Sequence, residues 1–126
     1  MVLLYEEETF KIRKCVFNVY NVLGSGHKEF VYQNALAQEF KINKINFEEQ
    51  KNLSIYYCGK KVGDYRPDFI VNGKIIIEIK ATELTIKNYE KQLLYYLKGT
   101  NFELGLLVNF GSQPVLVKRV IWTPNP

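Results

Sequence analysis

The segment Ile75–Ala81 combines the pattern of a buried strand with two opposite charges. Its residues are apolar except for Glu78 and Lys80, which stand two positions apart. Side chains alternate between the two faces of a strand, so Glu78 and Lys80 lie on the same face. A buried charge destabilises a fold unless it is paired or binds a ligand. This departure from an otherwise apolar pattern indicates a functional site.

A second carboxylate stands close by in the sequence. Asp68 precedes the turn at Asn72-Gly73, and the hairpin formed there brings Asp68 towards Glu78. With a plain two-residue turn, however, Asp68 would point away from Glu78. A three-residue loop, or a bulge with Gly73 in the left-handed conformation, would place the two acids opposite each other. We therefore predict an irregular turn.

Two adjacent carboxylates repel each other, and a shared divalent cation relieves the repulsion. Mg²⁺ prefers hard oxygen ligands and keeps several waters, so a pair of acids is sufficient to bind it. A lysine on the same face can then deprotonate a water or neutralise charge that develops on a phosphate. The residues thus predict a metal site at Asp68 and Glu78. The structural alternative is a simple ion pair between Glu78 and Lys80.

Hydrophobic periodicity predicts the elements that position these residues. Helices are expected over Thr9–Leu23, Glu29–Phe40 and Thr85–Leu97, the last ending before Gly99. Strands are expected over Leu53–Tyr57, Tyr65–Val71 and Lys74–Ala81 as an antiparallel meander, then over Leu104–Phe110 and Val115–Trp122. The almost entirely apolar Leu104–Phe110 is typical of a central strand that is covered on both faces.

Length and composition limit the function classes. A chain of 126 residues with 47% hydrophobic and 24% charged residues is predicted to fold as a single domain, 1–126, and not to be disordered. Seventeen basic against thirteen acidic residues leave a net charge of +4, which suits a polyanionic partner but is also common in unrelated proteins. No leader and no apolar run of about 18 residues is present, so we expect a soluble cytoplasmic protein without a membrane partner.

Three motifs resemble those of a known nuclease group. Pro67-Asp68 followed by Glu78-Ile79-Lys80 resembles the signature of the PD-(D/E)xK nuclease superfamily. Gln92–Tyr96 looks like the QxxxY motif of RecB-type nucleases, and Gly26–Tyr32 matches the motif of the GxxExxY family. The resemblance implies a restriction-endonuclease-like α/β fold, with an αβββαβ core and a mixed central sheet flanked by helices.

The resemblance also implies roles for individual residues. Asp68 and Glu78 would be metal ligands and Lys80 the catalytic lysine. Glu29 would be a further ligand, either directly or through a water.

Other positions are expected on the substrate side of the site. Gln92 and Tyr96 lie one helical turn apart on one face and would line the site towards a nucleic-acid backbone. Tyr32 and Arg66 would support substrate binding.

The leading functional hypothesis is a Mg²⁺- or Mn²⁺-dependent nuclease that hydrolyses phosphodiester bonds of DNA. One alternative is a nucleic-acid-binding module that keeps the fold without cleavage, and another is an interaction protein whose Tyr and Phe side chains contact a partner. The charged residues at the predicted site argue against both alternatives, because a site without catalysis has no physical reason to keep buried charges. A homodimer is expected if both strands are cut. The form of the substrate and endo- or exonuclease action stay open.

Overall fold

The computed structural model describes residues 4–124 as three helices and seven strands. In chain order these elements are α1 Glu6–Leu23, α2 Glu29–Ile42, β1 Phe47–Glu49, β2 Leu53–Tyr57, β3 Lys60–Tyr65, β4 Phe69–Val71, β5 Ile75–Lys80, α3 Lys87–Thr100, β6 Leu104–Asn109 and β7 Leu116–Ile121.

The main sheet has five strands in the order β1-β4-β5-β6-β7. Strands β5 and β6 run parallel, and the other neighbours run antiparallel. Helix α3 makes the crossover between the two parallel strands, as a parallel pair requires. The mixed sheet flanked by helices matches the expectation from the sequence.

Both faces of the central strand β5 are buried, which explains its apolar sequence. Ile75, Ile77 and Ile79 belong to the cluster that packs under α1 and α2. Ile76 faces the other way and packs against Leu93 of α3. The side chain of Glu78 therefore projects on the α3 side of the sheet, together with Lys80.

The predicted three-stranded meander is wrong. Strands β2 and β3 form a separate two-stranded sheet, and the run Tyr65–Val71 is broken between β3 and β4. The break contains Pro67, which has no N–H to donate to a sheet. The edge strand β1, absent from the sequence-based expectation, pairs with β4 instead.

Helix α3 extends past Gly99, which was expected to follow its end. The helix continues to Thr100, and Asn101 in the left-handed conformation ends it. Gly99 lies against Ile55 of β2, where an added Cβ would approach the Ile55 side chain to 3.3 Å. This glycine therefore permits close packing of β2 on the helix rather than ending the helix.

The turn between β4 and β5 has the predicted irregularity. Phe69 pairs with Ile77 and Val71 with Ile75, which leaves a three-residue loop from Asn72. Asn72 and Gly73 both adopt positive φ, at 54° and 68°. Extending this register by one residue beyond the Phe69–Ile77 pair sets Asp68 opposite Glu78, as predicted.

Within residues 4–124, no helix is both long enough and apolar enough to cross a membrane.

Candidate active site

Asp68 and Glu78 are brought together by the β4–β5 hairpin. Asp68 lies just before β4 and Glu78 lies in β5. Each carboxylate accepts a hydrogen bond from the backbone of the opposite strand. The N–H of Ile79 donates to Oδ2 of Asp68 at 2.7 Å, and the N–H of Asp68 donates to Oε1 of Glu78 at 3.3 Å. The juxtaposition predicted from the sequence is confirmed.

Two residues that the sequence did not single out hold these carboxylates. The hydroxyl of Tyr65 donates to Oε1 of Glu78 at 2.8 Å, and Nε2 of Gln50 donates to Oδ1 of Asp68 at 3.2 Å. Tyr65 ends β3, three residues before Asp68. In the sequence it is one of several aromatic residues in a strand pattern, and nothing in that pattern marks its hydroxyl as a hydrogen-bond donor. Gln50 follows the short strand β1, which has only one apolar residue to reveal it.

Both carboxylates are harder to ionise than usual. Burial, followed by the negative charge of Asp68, raises the pKa of Glu78 to about 7. Burial also raises the pKa of Asp68, against the lowering effect of the Ile79 N–H and of Lys80. Burial and the charge of Glu78 raise the pKa of Tyr65, so that its hydroxyl stays protonated as a donor. The surroundings of the two carboxylates therefore provide too little positive charge to stabilise both as anions.

Lys80 shares the site without neutralising it. Its Nζ lies 4.3 Å from the centroid of the Tyr89 ring, a cation–π contact. Across the described part of the chain, no basic nitrogen lies within salt-bridge distance of Asp68 or Glu78. The ion pair considered as a structural alternative is therefore not formed.

The donor set fits a hard divalent cation. It offers two carboxylates whose ionisation is disfavoured by burial and mutual repulsion, and a cation between them relieves both effects. Oε1 of Glu78 accepts two hydrogen bonds, whereas no group within residues 4–124 donates to its Oε2. Oε2 is thus available to a ligand.

Glu29 lies near this pair but does not complete a cage of three acids. It begins α2, and burial and the charge of Asp68 raise its pKa while Lys80 lowers it. Among the residues described, no three His, Cys, Asp or Glu side chains converge on one metal position. This geometry favours a contribution from Glu29 through water over direct ligation.

The backbone after Lys80 is fixed by a buried amide. Oδ1 of Asn109 accepts from the N–H of Thr82 and of Gly111, both at 3.0 Å, and its Nδ2 donates to the carbonyl of Thr82 at 2.9 Å. Asn109 is 3% exposed. The end of β5, and with it Lys80, is thereby tied to β6.

Gln92 and Tyr96 both lie beside Glu78 and Lys80. A small cleft between β5 and α3 is lined by Glu78, Lys80, Gln92, Tyr96 and three further residues. The Tyr96 ring stacks on Tyr65, with centroids 3.8 Å apart and planes 5° from parallel. The helix thus presents Gln92 to the cleft and holds the tyrosine that contacts Glu78.

With this geometry established, sequence comparison gives the family. A sequence model of the PD-(D/E)XK nuclease superfamily matches residues 6–120. The chain belongs to this superfamily. Its membership supports a nuclease-type function, because proteins of the PD-(D/E)XK superfamily are generally nucleases.

A solved structure supports the same fold. The chain is similar to the protein described as "Crystal structure of SSO0001", with 25% identity and a TM-score of 0.58. The match covers 96% of this chain and 61% of the other, so the chain spans less than two thirds of that protein. The fold is the restriction-endonuclease-like one expected from the sequence. No curated protein matches the sequence significantly.

Tyr32 and Arg66, the other two residues expected to support substrate binding, differ in their exposure. Tyr32 is 0% exposed and stacks on Phe110, so it cannot contact a substrate. Its hydroxyl donates to the carbonyl of Gly24 at 2.6 Å and accepts from the N–H of His27 at 3.2 Å. Tyr32 therefore fixes the loop before α2. Arg66 is exposed immediately before Pro67-Asp68.

Proposed function

We propose that this chain is a Mg²⁺- or Mn²⁺-dependent nuclease of the GxxExxY type that hydrolyses phosphodiester bonds of DNA. One observation carries the proposal: two partly buried carboxylates, Asp68 and Glu78, face each other with no salt-bridge partner among residues 4–124, and Glu78 lines a cleft together with Lys80. Superfamily membership supports a nuclease activity, and the repulsion between the two carboxylates supports the binding of a metal cation.

Asp68 and Glu78 would hold the cation, with Glu29 contributing through water. A bound divalent cation neutralises charge on the scissile phosphate and makes an attacking water more acidic. Tyr65 and Gln50 keep the two carboxylates in place before any cation binds, which reduces the cost of ordering them.

Lys80 would act on the reacting atoms from the same face. Its ammonium rests on the Tyr89 ring and not on a carboxylate, so it is free to approach a phosphate oxygen or the attacking water. As an ammonium it would neutralise negative charge that develops on the phosphate, and as the neutral amine, after giving a proton to solvent, it would accept a proton from the attacking water. A lysine can do both, whereas an arginine can only carry charge.

Gln92 and Arg66 would position the substrate backbone. Gln92 lines the cleft from α3, and Arg66 is exposed on the strand side beside Asp68. An amide and a guanidinium both donate hydrogen bonds to phosphate oxygens. The excess of basic residues over the chain, which gives +4, favours the same polyanionic partner.

The contacts of the Gly26–Tyr32 segment support the GxxExxY assignment. Gly26 has a φ of 107°, which favours glycine, and Tyr32 ties the loop to Gly24. Glu29 is the first residue of the helix that this loop introduces. The glycine and the tyrosine of the motif therefore serve to present its glutamate towards Lys80 and Asp68.

A cleavage assay tests the proposal. Purified protein is incubated with end-labelled single-stranded, duplex and branched DNA and with RNA, in Mn²⁺, in Mg²⁺ or in EDTA. We expect metal-dependent cleavage of at least one DNA form, lost in Asp68→Ala. Asp64→Ala, at the chain's other aspartate, is the matched control, since Asp64 is exposed and paired with Lys61 at 2.9 Å.

Two results would reject the proposal. Cleavage that persists in EDTA would rule out a metal requirement. Equal loss of cleavage in the Asp64 and Asp68 variants would rule out the assignment of the site to Asp68. DNA binding by the wild type without cleavage under any condition would favour the silent nucleic-acid-binding module.

A further inference from the structure

The two oxygens of the Glu78 carboxylate have different surroundings. Oε1 accepts from the hydroxyl of Tyr65 at 2.8 Å and from the N–H of Asp68 at 3.3 Å. No donor to Oε2 occurs within residues 4–124, and no buried side-chain oxygen or nitrogen in that range lacks a partner. Oε2 is therefore accessible to solvent, on a residue that lines the cleft between β5 and α3, and the hydrogen bonds to Oε1 limit rotation of the carboxylate.

The Tyr65 side chain has little freedom to move away from Glu78. It is 7% exposed and belongs to the cluster that contains Ile76, Leu93 and Leu97. Its ring stacks on Tyr96 with centroids 3.8 Å apart. A ring held on one face by a helix and surrounded by apolar side chains directs its hydroxyl to one place.

We infer that Tyr65 is a positioning residue of the metal site, and that Tyr96 acts through it. The Tyr65 hydroxyl holds Oε1 of Glu78 so that Oε2 stays accessible, and the Tyr96 ring holds Tyr65. This inference rests on the proposed function, since the orientation of a carboxylate oxygen matters to a cation. It gives Tyr96, expected from its motif to face the nucleic acid, a role in metal binding instead.

The substitution Tyr65→Phe isolates the hydroxyl. Phenylalanine keeps the ring and its stack on Tyr96, but the Glu78 carboxylate loses its shortest hydrogen bond and can rotate. Loss of a hydrogen-bonding partner behind a metal ligand typically weakens metal binding by 10- to 100-fold. We expect Mn²⁺ affinity to fall about 10-fold in Tyr65→Phe, at the low end because the Asp68 N–H still donates to the same oxygen.

The substitution Tyr96→Leu tests the second link. Leucine cannot stack on Tyr65, so the hydroxyl of Tyr65 becomes less well placed and Mn²⁺ affinity falls. Since both residues act through one hydrogen bond, the double variant should bind Mn²⁺ no more weakly than Tyr65→Phe alone. Tyr95→Leu is the matched control, because Tyr95 is a neighbouring tyrosine of α3 that is 65% exposed.

The measurement is calorimetric titration of Mn²⁺ into the metal-free full chain, at a temperature where urea unfolding shows each variant to be folded. A merely structural role of Tyr65 would lower stability without changing Mn²⁺ affinity. The inference is supported by weaker binding in Tyr65→Phe and Tyr96→Leu, non-additivity in the double variant, and unchanged binding in Tyr95→Leu.

Other outcomes overturn it in distinguishable ways. Wild-type Mn²⁺ affinity in a folded Tyr65→Phe would refute the positioning role while leaving the proposed function intact. Equal weakening in Tyr95→Leu and Tyr96→Leu would refute the role of the stack. Absence of Mn²⁺ binding by the wild type would overturn the metal site, and with it both proposals.

Discussion

The raised pKa of Glu78 predicts that the metal-free protein loses stability as the pH rises. Burial and the charge of Asp68 raise this pKa from 4.5 to about 7. Between these values the folded state binds more protons than the unfolded state, so the free energy of unfolding falls with increasing pH. The rise from 4.5 to about 7 corresponds to about 3 kcal/mol at most, because each pH unit is equivalent to about 1.4 kcal/mol.

The substitution Glu78→Gln should remove this loss. Glutamine is neutral at every pH, and its carbonyl oxygen can still accept from the Tyr65 hydroxyl and the Asp68 N–H. At pH 8 in EDTA, we expect the variant to be more stable than the wild type by about 1 to 3 kcal/mol. At pH 5, where Glu78 is largely protonated in the folded state, the two proteins should have similar free energies of unfolding.

The assay is urea unfolding of both proteins at pH 5, 6, 7 and 8 in EDTA. Asp64→Asn serves as the control, because Asp64 is exposed and its pKa is lowered by Asn52 and Lys61 rather than raised. Its stability should follow the pH dependence of the wild type. A wild type that is more stable at pH 8 than at pH 5, or a Glu78→Gln variant destabilised at both, would refute the reasoning.

Three further predictions concern neighbouring residues. Lys80→Ala should lose turnover, and Lys80→Arg should not restore it, because a guanidinium keeps its proton; full activity of the arginine variant in the cleavage assay would leave Lys80 only a charge role. Gln92→Ala should reduce turnover by less than Asp68→Ala does, since Gln92 positions substrate; equal losses in parallel kinetic assays would contradict this. Tyr32→Phe should lower the free energy of unfolding by about 1 kcal/mol through loss of its hydrogen bond to Gly24, with KM unchanged. A raised KM at unchanged stability, from the same kinetics and urea unfolding, would instead return Tyr32 to the substrate side.

The carboxylate pair was predictable from the sequence because local rules determine it. Alternation fixes the face of Glu78 and Lys80, and a site shared by Asp68 and Glu78 requires the three-residue turn at Asn72, which sets the two acids opposite each other. Gln92 and Tyr96 were expected from the resemblance to the QxxxY motif, and helical spacing only put them on one face. These inferences depend on residues close in sequence or on one chemical constraint.

The partners of the pair were not predictable in the same way. Tyr65 reaches Glu78 because β3 leaves the main sheet and packs with β2 on α3, a tertiary arrangement that strand patterns do not encode. Gln50 meets Asp68 because a three-residue strand pairs with β4, and so short an element has almost no periodicity. Tyr32 has a hydroxyl that could contact a substrate, so the sequence does not reveal that it is buried. The burial results from the stack with Phe110, which is far away in the sequence.

The most direct test of the metal site is anomalous scattering from crystals grown with Mn²⁺. We predict one Mn²⁺ peak within coordination distance of both Asp68 and Glu78, with Oε2 as the Glu78 ligand, and no peak there in crystals of Asp68→Asn. An occupied Mn²⁺ site elsewhere with the Asp68–Glu78 pair empty, or a peak that persists in Asp68→Asn, would contradict the account.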